Sequence, residues 1–81
     1  MSVTAYVLVV TRVGEEDNVK GLIDGIASKI DGILRVESKL VFGEFDIVVI
    51  AEARDVKAIN NLVTSIRKLS GVEKTITLIG I

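Results

Sequence analysis

The polar side chains that could bind a ligand are few, and they lie at the ends of predicted strands. Asp46 stands at the entrance of an otherwise apolar strand, where a carboxylate can accept hydrogen bonds from a ligand's ammonium or from backbone N–H groups. Thr75 and Thr77 share one face of the last predicted strand, where hydroxyls near an interface could bind a ligand carboxylate. Each has an ordinary alternative, because a carboxylate at a strand entrance can simply be solvated and threonine suits edge strands.

The composition removes most catalytic chemistry. The 81 residues include no histidine and no cysteine, so the commonest general base, thiolate ligands and disulfides are all absent. No serine has a histidine to activate it, and the sequence places no pair of carboxylates for acid–base work. We therefore expect a non-enzyme with no catalytic residue, no metal site and no cofactor.

Charge and hydropathy disfavour two classes of partner, nucleic acids and membranes. Ten basic and eleven acidic residues give a formal net charge of −1 with no basic tract, so the electrostatic footprint of a nucleic-acid-binding protein is missing. The N-terminus lacks the pattern of a signal peptide, and the longest apolar run is far short of a membrane span. The expectation is a cytoplasmic domain that contacts neither nucleic acid nor membrane directly.

Apolar periodicity predicts six elements in the order βαββαβ. The predicted strands are 5–13, 33–41, a third that follows a turn at 42–44 and runs to 51, and 72–79, and the predicted helices begin near 19 and 56. Asp17 or Asn18 is expected to cap the first helix and Asp55 the second. Gly21 and Gly25 are expected to let the first helix pack closely on the sheet.

The two halves of the chain repeat when one is shifted onto the other. A single fixed shift places Tyr6 on Phe45 in the strands and Gly32 on Gly71 after the helices. Two βαβ halves predict an α+β fold, a ferredoxin-like βαββαβ sandwich with a four-stranded antiparallel sheet. The apolar strands 1 and 3 are then central, and the charged strands 2 and 4 are edges.

The same shift assigns side chains to the two faces of the sheet. It groups Tyr6, Leu8 and Val10 with Phe45, Ile47 and Val49, and leaves Val7, Val9, Asp46, Val48 and Ile50 on the opposite face. Whichever face the helices leave bare is largely apolar. A bare apolar face of several hundred Å² is typical of an interaction surface, so we expect a homodimer whose sheets pack face to face.

Three stretches resemble a known family. They are the opening strand 5–9, the turn Gly43-Glu44-Phe45-Asp46, and the closing run Gly71-Val72-Glu73-Lys74-Thr75-Ile76-Thr77. The layout resembles the effector domain, or RAM domain, of the Lrp/AsnC transcription regulators. That family usually shows Gly-x-Tyr/Phe-Asp at the turn and Gly-Val-x-x-Thr-x-Thr before the last strand. The resemblance covers essentially the whole chain.

The resemblance implies a dimer of the dimeric α+β barrel type, often assembled into octamers. It also implies an amino-acid effector bound between subunits, near the strand 2–3 turn and the start of strand 4. The candidate ligand-binding residues carried over are Gly43, Phe45, Asp46, Thr75 and Thr77. No helix-turn-helix precedes strand 1, so residues 1–81 are expected to form a single stand-alone RAM-like effector-binding and oligomerisation domain. Such a domain could sense amino acids alone or co-assemble with a full-length Lrp-type regulator.

Two other functions stay open at this point. One is a purely structural oligomerisation module with an empty pocket. The other is a small dimeric α+β barrel enzyme, which the lack of histidine and cysteine disfavours. The amino-acid-binding ACT domain shares the fold, but its glycine-rich loop after strand 1 is not evident.

Overall fold

The computed structural model describes residues 2–80 and confirms the predicted order of elements. The elements are β1 (Val3–Thr11), α1 (Glu16–Ala27), β2 (Ile33–Leu40), β3 (Ile47–Ala53), α2 (Val56–Arg67) and β4 (Val72–Ile79). The strands form one sheet in the order β2-β3-β1-β4, and every neighbouring pair is antiparallel. As predicted, the apolar strands β1 and β3 are central and the charged strands β2 and β4 are edges.

Both helices pack on the same face of the sheet, and the core lies between them. The buried apolar residues are Ala5, Val7, Val9, Val19, Ile23, Ala27, Ile47, Val49, Ala51, Ala53, Ala58, Ile59, Leu62 and Ile66. In the helices these residues recur at three- and four-residue intervals, and in the central strands at every second residue. The core is therefore a single layer of side chains between one sheet face and two helices.

The predicted grouping of side chains into faces is wrong for the central strands. Val7 pairs with Val49 and Val9 with Ile47, and all four are buried beneath the helices. The opposite face, away from the helices, carries Tyr6, Leu8 and Val10 from β1 together with Val48 and Ile50 from β3.

Unequal connections between strand and helix cause this error. The loop from β1 to α1 (12–15) is two residues longer than the loop from β3 to α2 (54–55), and α1 begins one residue farther before Gly32 than α2 begins before Gly71. The Arg12 N–H donates to the Gly71 carbonyl and the Arg54 N–H to the Gly32 carbonyl, so Arg12 and Arg54 are equivalent positions. Their separation along the chain exceeds that of the two glycines by an odd number of residues. Because strand side chains alternate with a period of two, an odd difference moves every strand residue to the other face.

Gly32 and Gly71 each pack closely against the helix of the other half of the chain. Both have positive φ, 89° and 95°, which favours glycine. A Cβ on Gly32 would stand 2.8 Å from Ala58 of α2, and a Cβ on Gly71 would stand 2.9 Å from Val19 of α1. The shift that places Gly32 on Gly71 also places Val19 on Ala58, so each glycine packs against the equivalent position in the other half's helix.

The helix starts agree with the prediction in one half only. The Asp55 side chain accepts from the Ala58 N–H at 2.9 Å and caps α2 as predicted. The expected cap of α1 at Asp17 or Asn18 is wrong, because α1 begins at Glu16 and no side chain caps it. The expected close packing of Gly21 and Gly25 is also wrong: both are exposed, and no atom of the sheet lies within 4 Å of where their Cβ atoms would stand.

Candidate functional site

Asp46 ties together three strands at one end of the sheet. Its N–H donates to the Val9 carbonyl at 2.9 Å, and its carbonyl accepts from the Val41 N–H at 3.0 Å. The carboxylate oxygen Oδ2 accepts from the N–H of Thr11 at 2.8 Å and from the Thr11 hydroxyl at 3.3 Å. Asp46 therefore lies just before β3, with its carboxylate at the end of β1. The sequence prediction that Asp46 shares a strand face with Val48 and Ile50 is wrong.

The two oxygens of this carboxylate differ in their hydrogen bonding. Thr11 is almost fully buried, at 4% exposure, so its bonds to Oδ2 are shielded from water. Oδ1 accepts no hydrogen bond from any residue in the range 2–80. A half-buried carboxylate fixed through one oxygen presents the other in a defined position, which suits it to accept from an ammonium group.

A cavity of about 220 Å³ adjoins Asp46. Its lining residues come from the first turn of α1, the end of β2 and the β2–β3 loop: Glu16, Asp17, Leu40, Val41, Phe42 and Asp46. We call this the acidic cavity, because its lining holds three carboxylates and no cation. Drug-sized ligands occupy pockets of roughly 300–1,000 Å³, so the acidic cavity fits a smaller molecule with an apolar part and a positive charge.

Thr75 and Thr77 lie on the helix side of the edge strand β4. They pair with the buried Val9 and Val7 and are themselves half-buried. Thr75 lines a second cavity of about 390 Å³, together with Arg67 at the end of α2 and Val72, Glu73 and Lys74. We call this the basic cavity, since its lining has two cations and one carboxylate.

The structure brings the predicted site residues to one end of the sheet but not into one pocket. Asp46 and Thr75 adjoin Val9 from opposite sides of β1, and two strand spacings separate them by about 10 Å. Gly43, at φ 120°, is exposed in the β2–β3 loop, and Phe45 is half-buried beside Asp46. Thr77 lies farther along β4, opposite Val7.

The sequence missed Glu16, Asp17 and Arg67 as cavity residues. All three lie at helix ends, where acidic residues at the N-terminus and basic residues at the C-terminus are favoured by the helix dipole. Their residue types therefore indicated only ordinary helix ends and did not indicate a cavity. Only the packing of helix ends against strand ends reveals that they line cavities.

The sheet face opposite the helices is mostly apolar on β1, β3 and β4. Its apolar residues, which we call the open apolar face, are Tyr6, Leu8, Val10, Val48, Ile50, Ile76 and Leu78. Thr4, Glu52 and Lys74 lie on the same side of the sheet, at the margins of this apolar set. On the fourth strand, β2, the residues on this side are all charged: Glu37 pairs with Ile50, Lys39 with Val48, and Arg35 with Glu52. No other element of residues 2–80 covers this face.

Two classes of site find no support in the described residues. Residues 2–80 contain no group of three or more His, Cys, Asp or Glu side chains that could hold a metal ion. Within the same range no helix is both long and apolar enough to cross a membrane.

The fold and cavities define a class: a ferredoxin-like α+β domain with helices on one sheet face, an exposed apolar face on the other, and a small cavity where the strands end. The Lrp/AsnC ligand binding domain is the family model that matches this chain, over residues 4–81. The chain belongs to that family. No curated protein sequence matches it significantly.

Several solved structures share the fold of this chain. Hypothetical protein PHS023 from Pyrococcus horikoshii is 31% identical with a TM-score of 0.76, and the match covers 98% of this chain and 89% of that one. TTHA0845 from Thermus thermophilus is 29% identical with a TM-score of 0.80, covering 98% and 92%. The transcriptional regulator NMB0573 from Neisseria meningitidis, solved as a complex with L-Met, shares the fold at 18% identity and a TM-score of 0.70; the match covers 98% of this chain and 49% of the regulator.

Proposed function

We propose that this domain is a non-enzymatic regulatory module that binds an α-amino acid and oligomerises. The observation that carries the proposal is the acidic cavity beside Asp46, in a chain of the Lrp/AsnC ligand binding domain family. The L-Met complex of the Neisseria regulator supports an amino acid as the ligand class.

In this proposal Asp46 is the main polar contact. Its Oδ1 accepts from the ligand's ammonium while Thr11 holds Oδ2 in place. Gly43 gives the β2–β3 loop its left-handed turn, and Phe45 supports the loop from its half-buried position. Thr75 and Thr77 lie on the far side of β1, where their hydroxyls are proposed to donate hydrogen bonds to a ligand carboxylate.

The open apolar face is the proposed dimer interface. Seven apolar side chains on one face form a patch of the kind that marks protein contact sites, and a second copy offers a surface of the same chemistry. We propose a homodimer that assembles further, for example into an octamer, in the cytoplasm. A full-length Lrp-type regulator is the proposed heterologous partner, since its own ligand binding domain would present the same face.

Denaturant unfolding in the presence of each of the twenty amino acids tests the ligand. A ligand at 100 times its dissociation constant raises the free energy of unfolding by about 2.7 kcal/mol. We expect such a rise for one or a few amino acids, and its loss in Asp46→Asn. The asparagine amide oxygen can still accept from the Thr11 N–H, so this variant removes the charge and keeps the strand junction.

Glu44→Gln is the matched control, because Glu44 is an exposed acid of the same loop that does not line the acidic cavity. It should leave the rise unchanged. An unfolding free energy that no amino acid alters would contradict the sensor function and favour a structural oligomerisation module.

A further inference from the structure

Phe42 is a fully exposed aromatic residue at the mouth of a cavity. Its side chain lies in the β2–β3 loop with a relative exposure of 106%, whereas Tyr6 is 40% exposed and Phe45 is half-buried. A single exposed apolar side chain is ordinary on a protein surface. Phe42 is distinguished by its place, because it lines the acidic cavity and yet packs against nothing.

The acidic cavity has one apolar side and one acidic side. Residues 40–42 form the apolar side, and Glu16 and Asp17 lie across from them at the start of α1. Leu40 is 47% exposed and Phe42 is fully exposed, so the apolar side faces water when the cavity holds no ligand. A ligand with an apolar part would gain most if these side chains closed over it.

The loop that carries Phe42 has a fixed base and a free tip. At the base, the Val41 N–H donates to the Asp46 carbonyl at 3.0 Å. No backbone hydrogen bond within residues 2–80 holds 42–44. Gly43 follows Phe42 with φ 120°, and no atom lies within 4 Å of where its Cβ would stand. The tip can therefore turn while Asp46 stays in place.

We propose that Phe42 is a lid that closes over a ligand bound at Asp46. Rotation of the Phe42 side chain and of the backbone at Gly43 brings the ring over the ammonium held by Asp46. The negative face of an aromatic ring attracts a cation. The closed ring also excludes water, which strengthens the bond between the ammonium and the carboxylate. This inference rests on the proposed amino-acid binding and adds a moving residue to that site.

The lid also defines how the ligand lies in the cavity. An aromatic face and the carboxylates of Glu16 and Asp17 both repel a ligand carboxylate. The carboxylate of the amino acid is then directed out of the cavity. Its ammonium and its side chain lie beneath the ring, against residues 40–42. The ligand class that fits is a primary ammonium compound with an apolar part.

A fluorescent reporter tests whether the lid moves. The chain has no tryptophan, so Phe42→Trp introduces a single one at the tip of the loop. We expect red-shifted emission and strong iodide quenching in the free protein. Each of the twenty amino acids is then added in turn. Those that raise the free energy of unfolding should shift the emission to the blue and protect the reporter from iodide.

Val13→Trp is the matched control. Val13 is 97% exposed in the β1–α1 loop and does not line the acidic cavity, so its reporter should not respond to any amino acid. A second comparison measures affinity. Phe42→Ala should weaken binding roughly 10-fold, mainly through faster dissociation, because the burial of one large apolar side chain is lost. Val13→Ala should bind normally. Calorimetric titration and stopped-flow dissociation measure these effects.

The free protein should be unaffected by Phe42→Ala, because the ring makes no packing contact that the fold requires. A loss of affinity with an unchanged free energy of unfolding therefore reports on the lid and not on folding.

The outcomes separate this inference from the function on which it rests. If no amino acid alters the unfolding of the unaltered protein, the proposed function fails and the lid fails with it. If an amino acid binds to Phe42→Trp and neither emission nor quenching changes, the lid alone is overturned. A blue shift that appears without ligand and grows with protein concentration would place Phe42 at a contact between copies, and this also overturns the lid.

Discussion

The two βαβ halves place their edge strands in the same environment but give them different surfaces. In β2 (Ile33–Leu40) and β4 (Val72–Ile79) exposed and half-buried residues follow in the same order along the strand. Yet on the face away from the helices β2 presents only charged side chains, Arg35, Glu37 and Lys39, where β4 presents Lys74 followed by the apolar Ile76 and Leu78. Burial beneath the helices is thus common to both halves, and the difference lies only on the open side.

This difference indicates which part of the sheet is left for a partner. Charged side chains on an edge strand oppose pairing and aggregation, and β2 carries them along its whole length. The apolar surface is therefore offset toward β4 and spans β3, β1 and β4. A second copy that covers it would be centred away from β2.

The helices differ in a parallel way. α2 is capped by Asp55, and α1 has no side-chain cap. Instead, α1 is held to its edge strand by a hydrogen bond from the Ser38 hydroxyl to Asp24, with Lys20 at 2.9 Å on the other carboxylate oxygen. Each half thus stabilises its helix by a different local interaction.

The largest loss of unfolding free energy should come from substituting Gly32 or Gly71, because both halves of the chain pack these glycines in the same way. Alanine at Gly32 or Gly71 would be strained by the positive φ and would clash with Ala58 or Val19, neither of which can move its contact atom easily. Backbone strain and overpacking cost about 1–3 kcal/mol each, so each variant should lose about 2–5 kcal/mol of unfolding free energy. Denaturant unfolding measures this. A large loss at one glycine and none at the other would contradict the symmetric packing.

The edge strands should respond unequally to a charge. Leu78 on β4 and Leu34 on β2 have similar exposure, 51% and 55%, but only Leu78 lies on the open apolar face. Leu78→Lys should weaken dimerisation by about 3 kcal/mol, since two leucines leave the interface and each contributes about 1.5 kcal/mol. Leu34→Lys is the control and should leave the dimer intact. Analytical ultracentrifugation over a range of concentrations distinguishes them, and equal dissociation would exclude the open face as the interface.

The helix caps give a smaller contrast. Asp55→Ala removes the hydrogen bond to the Ala58 N–H and should lower the unfolding free energy by about 1 kcal/mol. Glu15→Ala, at the equivalent position of α1, should change it little because Glu15 makes no capping bond. Thermal and denaturant unfolding of the two variants provide the comparison, and a larger loss in Glu15→Ala would show that this difference between halves is misassigned.

The smallest expected effect is a pH-dependent contribution of Asp24, in the first βαβ half, to the free energy of unfolding. Partial burial raises the pKa of Asp24, but the hydrogen bond from Ser38 and the nearby Lys20 ammonium lower it more, so the pKa lies below its ordinary value. The carboxylate form is therefore favoured by folding. Its contribution is present at neutral pH and is lost as the pH falls below the ordinary value of about 4 and through the folded pKa.

Asp24 is half exposed, so water screens its charge and the contribution should be only about 0.5 kcal/mol. Asp24→Asn should lose this at pH 7 and differ less from the unaltered protein in acid. Unfolding free energies measured at several pH values test the sign. A variant deficit that grows as the pH falls would contradict it.

The sequence predicted the fold correctly because its apolar periodicity, its charge pattern and its turn residues all indicate the same arrangement of elements. Apolar periodicity located all six elements, and the two charged strands identified the edges. The turn Gly43-Glu44-Phe45-Asp46 located the loop beside the acidic cavity. Periodicity failed where the lengths of the connections mattered: the shift that aligns Gly32 with Gly71 holds for the helices but not for the strands, since the chain from β1 to Gly32 is three residues longer than the chain from β3 to Gly71.

The sequence by itself determined the order βαββαβ, the central and edge strands, the Asp55 cap and the lack of histidine and cysteine chemistry, because these follow from residue types and local spacing. Only the tertiary structure decided which strand face is buried, because one odd offset in the chain reverses it. The tertiary structure alone also placed Asp46 and Arg67 in separate cavities of opposite charge. That separation depends on how helix ends pack against strand ends, which no local pattern encodes.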